Sequence, residues 1–176
     1  EEVRNIKDVA VLNNHATFTP YEPGSIFKAF TMAAGIESGK ITPQTMYVDK
    51  GVEEIDNFKI RNSDKLAHGS QSMIKALEKS LNTATIFVQR LVGRESFREY
   101  VMRFGFGERT GIELPSETKG TIASLDKRGQ IFAATASFGQ GITTTPLQLV
   151  AAYAALANNG TLMKPYIVQE VIQEGV

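Results

Sequence analysis

Ser25 and Lys28 stand three residues apart in the segment Tyr21-Glu22-Pro23-Gly24-Ser25-Ile26-Phe27-Lys28. Side chains three apart share a helical face, so a helix opening at Ser25 brings the Lys28 amine toward the Ser25 hydroxyl. A serine hydroxyl is a poor nucleophile until a base takes its proton. Lysine is such a base once burial or a neighbouring cation lowers its pKa, and Phe27 and Phe30 supply apolar surroundings. The unpaired N–H groups of a helix N-terminus favour a developing oxyanion by about 0.3–1 kcal/mol when exposed, and by more when buried. The chemistry this pair suits is acyl transfer through a serine ester.

The spacing alone is common. Four serine–lysine pairs share it: Ser25/Lys28, Ser72/Lys75, Ser116/Lys119 and Ser124/Lys127. Ser72 reads as a helix cap with Lys75 on the solvent side. Ser116 and Ser124 fall in polar loops that offer a lysine no desolvation. Ser25 follows a Pro-Gly turn and opens an apolar helix. Ser80-Leu81-Asn82 is the only serine-x-asparagine triplet. In an extended or turn segment its two polar side chains face one cleft, where the serine relays a proton and the asparagine binds an amide. The competing reading is a polar kink within a 72–92 helical stretch.

These residues need elements to position them. Pro20 to Gly24 reads as a rigid extended approach, because each proline restricts the residue before it. A helix is predicted over Ser25 to Ser38, with Phe27, Phe30, Ala34 and Ile36 as its apolar stripe and Gly39 at its C-terminal cap. Residues 40–68 read as loop with short strands at Tyr47-Val48 and Phe58-Lys59-Ile60. Gly69 to Val92 is helical in character, with Met73, Leu77, Leu81, Ala84, Val88 and Leu91 at three- and four-residue steps. A third helix covers about Glu95 to Phe104, with Phe97, Val101 and Phe104 inward, and Gly105-Phe106-Gly107 ends it. Residues 108–128 are turn-rich. A helix near Gln130 to Phe138 precedes Gly139-Gln140-Gly141, and Thr145-Pro146 opens another that ends at Asn158-Asn159-Gly160. Leu162 to Ile172 reads as a final strand, and Val9-Ala10-Val11-Leu12 as a short apolar stretch near the start.

The chain's 176 residues suffice for one domain with a hydrophobic core. Nineteen basic residues balance nineteen acidic ones, so no overall positive field exists to attract nucleic acid. Cysteine is absent, which excludes disulfides and thiolate metal sites, and two histidines, His15 and His68, do not suggest a metal cluster. No cofactor is expected. No apolar run approaches the length that spans a bilayer. The first and last residues read as the edges of an internal piece of a longer protein, with room upstream for an anchor or targeting segment.

Taken in order, the motifs resemble the transpeptidase domain of class B penicillin-binding proteins, which cross-link bacterial peptidoglycan. Residues 21–28 look like the family's nucleophile motif and Ser80-Leu81-Asn82 like its second motif. Phe104-Gly105-Phe106-Gly107 with Thr110-Gly111-Ile112-Glu113-Leu114-Pro115 matches one downstream segment. Ala136-Ser137-Phe138-Gly139-Gln140-Gly141 with Thr145-Pro146-Leu147-Gln148-Leu149 matches another. The resemblance implies an α+β fold of the penicillin-binding transpeptidase and serine beta-lactamase type. Residues 1–176 are expected to be a partial domain, truncated at both ends, holding mainly the helical lobe and little of the antiparallel sheet.

The resemblance also implies roles. Ser25 attacks the penultimate D-alanine carbonyl of a D-Ala-D-Ala stem peptide, with its own backbone N–H as half of the oxyanion hole. Lys28 is the general base, Ser80 passes the proton to the departing D-alanine, and Asn82 orients substrate and Lys28. Gly139, Gln140 and Gly141 shape the cleft. Beta-lactams trap Ser25, wall-synthesis proteins are the expected partners, and the site faces the extracytoplasmic side of the bacterial inner membrane. The family's third motif, Lys-Thr-Gly or Lys-Ser-Gly, occurs nowhere in this sequence. Because the strand that carries it supplies the second oxyanion donor, the piece alone is expected to be nearly inactive. The alternatives are a serine beta-lactamase, for which Glu113 and Glu117 are the candidate water-activating carboxylates, and a non-catalytic beta-lactam sensor or scaffold.

Overall fold

A computed structural model describes residues 13–172. The short apolar stretch expected at residues 9–12 lies outside them. Helices dominate, accompanied by two small antiparallel ribbons, so the class is α+β as expected.

A short helix, α1 (His15–Phe18), leads into the Pro20–Gly24 approach. A 3-10 turn (Gly24–Phe27) then runs directly into α2 (Lys28–Glu37). The single helix expected from Ser25 is thus two pieces, and Ser25 lies in the tighter one. The reason is local: Pro23 lacks an N–H, Gly24 takes a left-handed φ of +61°, and the chain winds up over one turn before α geometry takes over. Phe27, Phe30 and Ala34 are buried as the stripe requires, whereas Ile36 is exposed.

Strand β1 (Met46–Asp49) pairs with β4 (Gly69–Ser72), and β2 (Val52–Ile55) with β3 (Phe58–Arg61). The two expected strands fall within β1 and β3. Their partners have no clear period, and Asp56 and Asn57, both at positive φ, close the β2–β3 hairpin in two residues.

The helical stretch expected over 69–92 divides into β4, α3 (Met73–Glu78) and α4 (Asn82–Val92). Ser72 caps α3, accepting from the Lys75 N–H, and Lys75 pairs with Glu78 in solvent. The break comes at Ser80. Its φ is +54°, its N–H donates to Leu77 O, and the Leu81 N–H donates to Ala76 O. That pairing ends a helix through a left-handed residue, a place usually given to glycine.

Helix α5 (Arg94–Arg103) buries Phe97 and Val101 and half-buries Phe104. A 3-10 turn (Ala123–Asp126), α6 (Gln130–Ala136) and α7 (Pro146–Ala157) follow. Thr145 and Gln148 form a reciprocal capping box at the start of α7. The core gathers α2, α4, α5, α6 and α7 around Phe27, Phe30, Val88, Phe97, Phe106 and Leu149. The Phe30 ring stands 4.9–5.1 Å from those of Phe104, Phe106 and Tyr153, so one aromatic cluster backs α2.

The strand expected over 162–172 is not formed. Ile167 N–H donates to Glu113 Oε2, but no neighbouring strand among the described residues pairs with the segment, and Tyr166, Val171 and Ile172 stay exposed. Alternating apolar residues make a strand only where a partner takes up their backbone groups.

Candidate active site

Segment 139–144 forms the bed on which the Ser25 turn rests. Tyr21 and Thr144 exchange backbone hydrogen bonds of 3.0 and 2.9 Å. Gly141 N–H donates to Glu22 Oε1 at 2.8 Å, and Gly24 N–H donates to Gly139 O at 3.0 Å. The contact at Gly139 admits no side chain: a Cβ there would lie 2.3 Å from Gly24 O, and φ is +79°. Gly139 and Gly141 therefore meet the loop before Ser25 through their backbone, while the Gln140 side chain is exposed. Ser25 itself is exposed at the start of the turn, and its N–H and hydroxyl have no partner among the described residues.

Lys28 closes that turn. In a 3-10 turn residues three apart eclipse one another, so its side chain starts from beneath Ser25. No direct Ser25–Lys28 hydrogen bond forms. The Lys28 amine instead donates to Ser80 O at 2.5 Å and to Ser80 Oγ at 2.9 Å, in a side chain only 1% exposed. Among the described residues no carboxylate joins it, and burial pushes its pKa down to about 8. A neutral amine has two N–H groups and one lone pair. With both N–H groups on Ser80, the lone pair is left to accept a hydroxyl proton.

The other serine–lysine pairs lack this setting. Lys75, Lys119 and Lys127 are all exposed. Ser124, expected in a polar loop, is instead buried in the 3-10 turn, and its hydroxyl has no partner among the described residues. Ser80 and Asn82 bracket the α3–α4 break, so the kink and the polar cluster are one feature. Asn82 is the first residue of α4 and donates one amide hydrogen to Arg61 O at 2.8 Å. It makes no bond to Lys28; the orienting contact expected of Asn82 is made by Ser80.

The description "Penicillin binding protein transpeptidase domain" fits residues 2–174 of this sequence. The chain belongs to that family. It is 38% identical over 167 residues to stage V sporulation protein D of Bacillus subtilis, covering 94% of this chain and 26% of that protein. It is 32% identical over 171 residues to the peptidoglycan D,D-transpeptidase MrdA of Acinetobacter baumannii, covering 90% of this chain and 25% of that one. The chain thus spans about a quarter of the length of these curated relatives. Penicillin-binding protein 3 of Mycobacterium tuberculosis, solved in complex with ampicillin, superposes with a TM-score of 0.83 at 30% identity, over 92% of this chain and 37% of that one.

Within this chain, sequence reasoning missed one cluster beside Asn82. Asp49, 2% exposed, accepts from the Thr83 hydroxyl at 2.7 Å, the Gly51 N–H at 2.9 Å, the Asn62 amide at 2.9 and 3.1 Å, and the His68 N–H at 3.0 Å. Burial alone raises its pKa, but these donors outweigh it and hold the carboxyl below its ordinary range. Apart from Gly51, its partners lie 13 to 34 residues away, and no local spacing announces them. A second missed contact is the Tyr153 hydroxyl, which donates to Ile26 O at 2.6 Å and steadies the residue after Ser25. His68 bonds Asp64 at 2.7 Å.

Proposed function

We propose that the complete protein is a peptidoglycan D,D-transpeptidase working through a Ser25 acyl-enzyme. The observation that carries this reading is the buried Lys28 amine, held by Ser80 and one 3-10 turn from the exposed Ser25. Lys28 Nζ accepts the Ser25 proton as Oγ bonds to the penultimate D-alanine carbonyl of a stem peptide. The Ser25 N–H faces the developing oxyanion. As the carbon–nitrogen bond breaks, the proton passes through Ser80 Oγ to the amine of the departing D-alanine. Asn82 orients the bound peptide, and Gly139, Gln140 and Gly141 form the cleft floor. An amine of a neighbouring stem then attacks the ester and returns the proton to Ser25.

On this reading residues 1–176 are part of a transpeptidase domain, beta-lactams acylate Ser25, and the site faces outward from the inner membrane among wall-synthesis proteins. Among the described residues, no helix is long and apolar enough to cross a membrane. The beta-lactamase alternative needs a free carboxylate to activate water. Glu117 instead takes the Thr110 N–H, the Thr110 hydroxyl and the Gly111 N–H, and Glu113 is engaged by Ile167 and Lys164. This supports slow deacylation by water.

The test is incubation of the complete protein with a fluorescent penicillin, followed by digestion and mass spectrometry. Stable stoichiometric label on the Ser25 peptide, lost in Ser25→Ala, is expected. Rapid release of label indicates a beta-lactamase, and absence of label removes the acyl-enzyme.

Ser80 yields a second expectation. Its left-handed backbone costs about 1 kcal/mol, which glycine relieves and alanine does not. Ser80→Gly should therefore be about 1 kcal/mol more stable than Ser80→Ala in denaturant melts, while both acylate about 10²-fold or more slowly. Equal stabilities, or a glycine variant at full rate, would contradict this account of Ser80.

A further inference from the structure

We infer that Asp49 is a positioning residue for the Ser80-Leu81-Asn82 corner, acting through Thr83 from 34 residues away. The inference rests on the acyl-enzyme reading. A helix leaves its first N–H groups without intrahelical acceptors, and a Ser, Thr, Asp or Asn at the N-cap usually supplies one. The N-cap of α4 is Leu81, which has no side-chain oxygen. Its cap comes from elsewhere in the chain. Asn62 Oδ1 accepts from the Thr83 N–H at 3.3 Å, and the Thr83 hydroxyl donates to Asp49 Oδ1 at 2.7 Å.

Asn62 in turn places its amide on both Asp49 oxygens, and Arg61, the residue before it, accepts from the Asn82 side chain. The ends of β1 and β3 thus grip the first two residues of α4. A buried carboxylate at this end of a helix also meets the positive end of its dipole.

Leu81 explains why the cap is borrowed. It is 1% exposed and fills the core behind the break, so the N-cap position is committed to packing. Asn82 and Ser80 stand on either side of it. A shift in the first turn of α4 moves the Asn82 amide and, through Leu81, the two Ser80 oxygens that hold Lys28. A geometric error of about 1 Å in such a site costs on the order of 10²-fold in rate.

Thr83→Val keeps the side-chain shape and removes the hydroxyl. Saturation kinetics of penicillin acylation by the complete protein, at a temperature where circular dichroism shows it folded, are expected to give a limiting rate constant about 10-fold lower. Thr83→Ser, which restores the donor, should return to within about twofold of wild type. A purely stabilising Thr83 would lower the melting temperature and leave the rate constant of folded protein unchanged. Wild-type labelling with Thr83→Val within twofold of it overturns the inference and leaves the acyl-enzyme reading standing. Failure of wild type to label overturns that reading and this inference with it. If Thr83→Val does not fold, Thr83→Ala removes the same hydroxyl without setting a methyl against the carboxylate. Loss of folding in both variants overturns the positioning role in favour of a requirement for the fold.

Discussion

Lys28→Met in the complete protein is expected to slow acylation of Ser25 by about 10²–10⁴-fold, the range a positioned general base supplies. Stopped-flow or gel-based labelling with a penicillin measures it. Methionine keeps the length and apolar stem but carries no lone pair basic enough to take the hydroxyl proton. Stability should move the opposite way. Lys28 is 1% exposed and its pKa is pushed down to about 8, so near neutral pH the folded state holds a charge in a dry place. Removing that charge should leave the melting temperature unchanged or higher at pH 7. Loss of rate with loss of stability would mean that Lys28 holds the fold and does not act as the base.

The same pKa fixes a sign for stability against pH. The unfolded lysine titrates near its ordinary value of 10.5, above the folded value of about 8. Between about 8 and 10.5 the unfolded chain binds more protons, so this group makes folding more favourable as pH rises through that window. Below about 8 both states are protonated, and the Lys28 contribution is flat.

Gly139→Ala carries the second large effect. A Cβ would lie 2.3 Å from Gly24 O and 2.6 Å from Gly24 N, both backbone atoms that no side-chain rotation can move aside. The loop must shift by an ångström or so, and the residue it shifts is the neighbour of Ser25. We expect acylation to fall by about 10²-fold and stability by about 1–3 kcal/mol. Gln140→Ala is the control, because its side chain is exposed and makes no hydrogen bond to the loop. Labelling kinetics and melts on the two variants separate a backbone clamp from a general sensitivity of the segment. Equal losses in both would contradict the clamp.

The Ser25–Lys28 turn was legible because its context was local. Pro23-Gly24 before Ser25 and aromatic residues after it mark a turn that enters a buried helix, and those residues sit there. Most core positions of α2, α4 and α5 were readable from their spacing for the same reason, but Ile36, Leu77 and Leu91, placed on the same stripes, are exposed. The split of 69–92 was less so. Met73, Leu77 and Leu81 keep a helical step through Ser80, because the left-handed residue there turns the chain without removing Leu81 from the core. Serine in place of glycine at that turn hides the break from a propensity reading.

What the sequence concealed was who holds whom. One helical turn of spacing suggested a Ser25–Lys28 bond, whereas the amine found its acceptors on Ser80, 52 residues away. Asp49, Asn62 and Thr83 are ordinary polar residues in sequence. They become a cap for α4 only when the β1–β4 and β2–β3 ribbons bring them together. The run over 162–172 failed for a related reason: its alternation was real, but no described strand lies beside it to pair with.

The pH profile of acylation is the most direct measurement. With a penicillin whose own charge does not change over the range, the second-order rate constant of the complete protein should rise with pH and level off above an inflection near 8. At pH 7 about one Lys28 in ten is then neutral, against fewer than about one in a thousand for a lysine at 10.5. The inflection should vanish in Lys28→Met. A rate that climbs unbroken toward pH 10, or an inflection near 8 that survives Lys28→Met, would contradict a buried neutral amine as the base for Ser25.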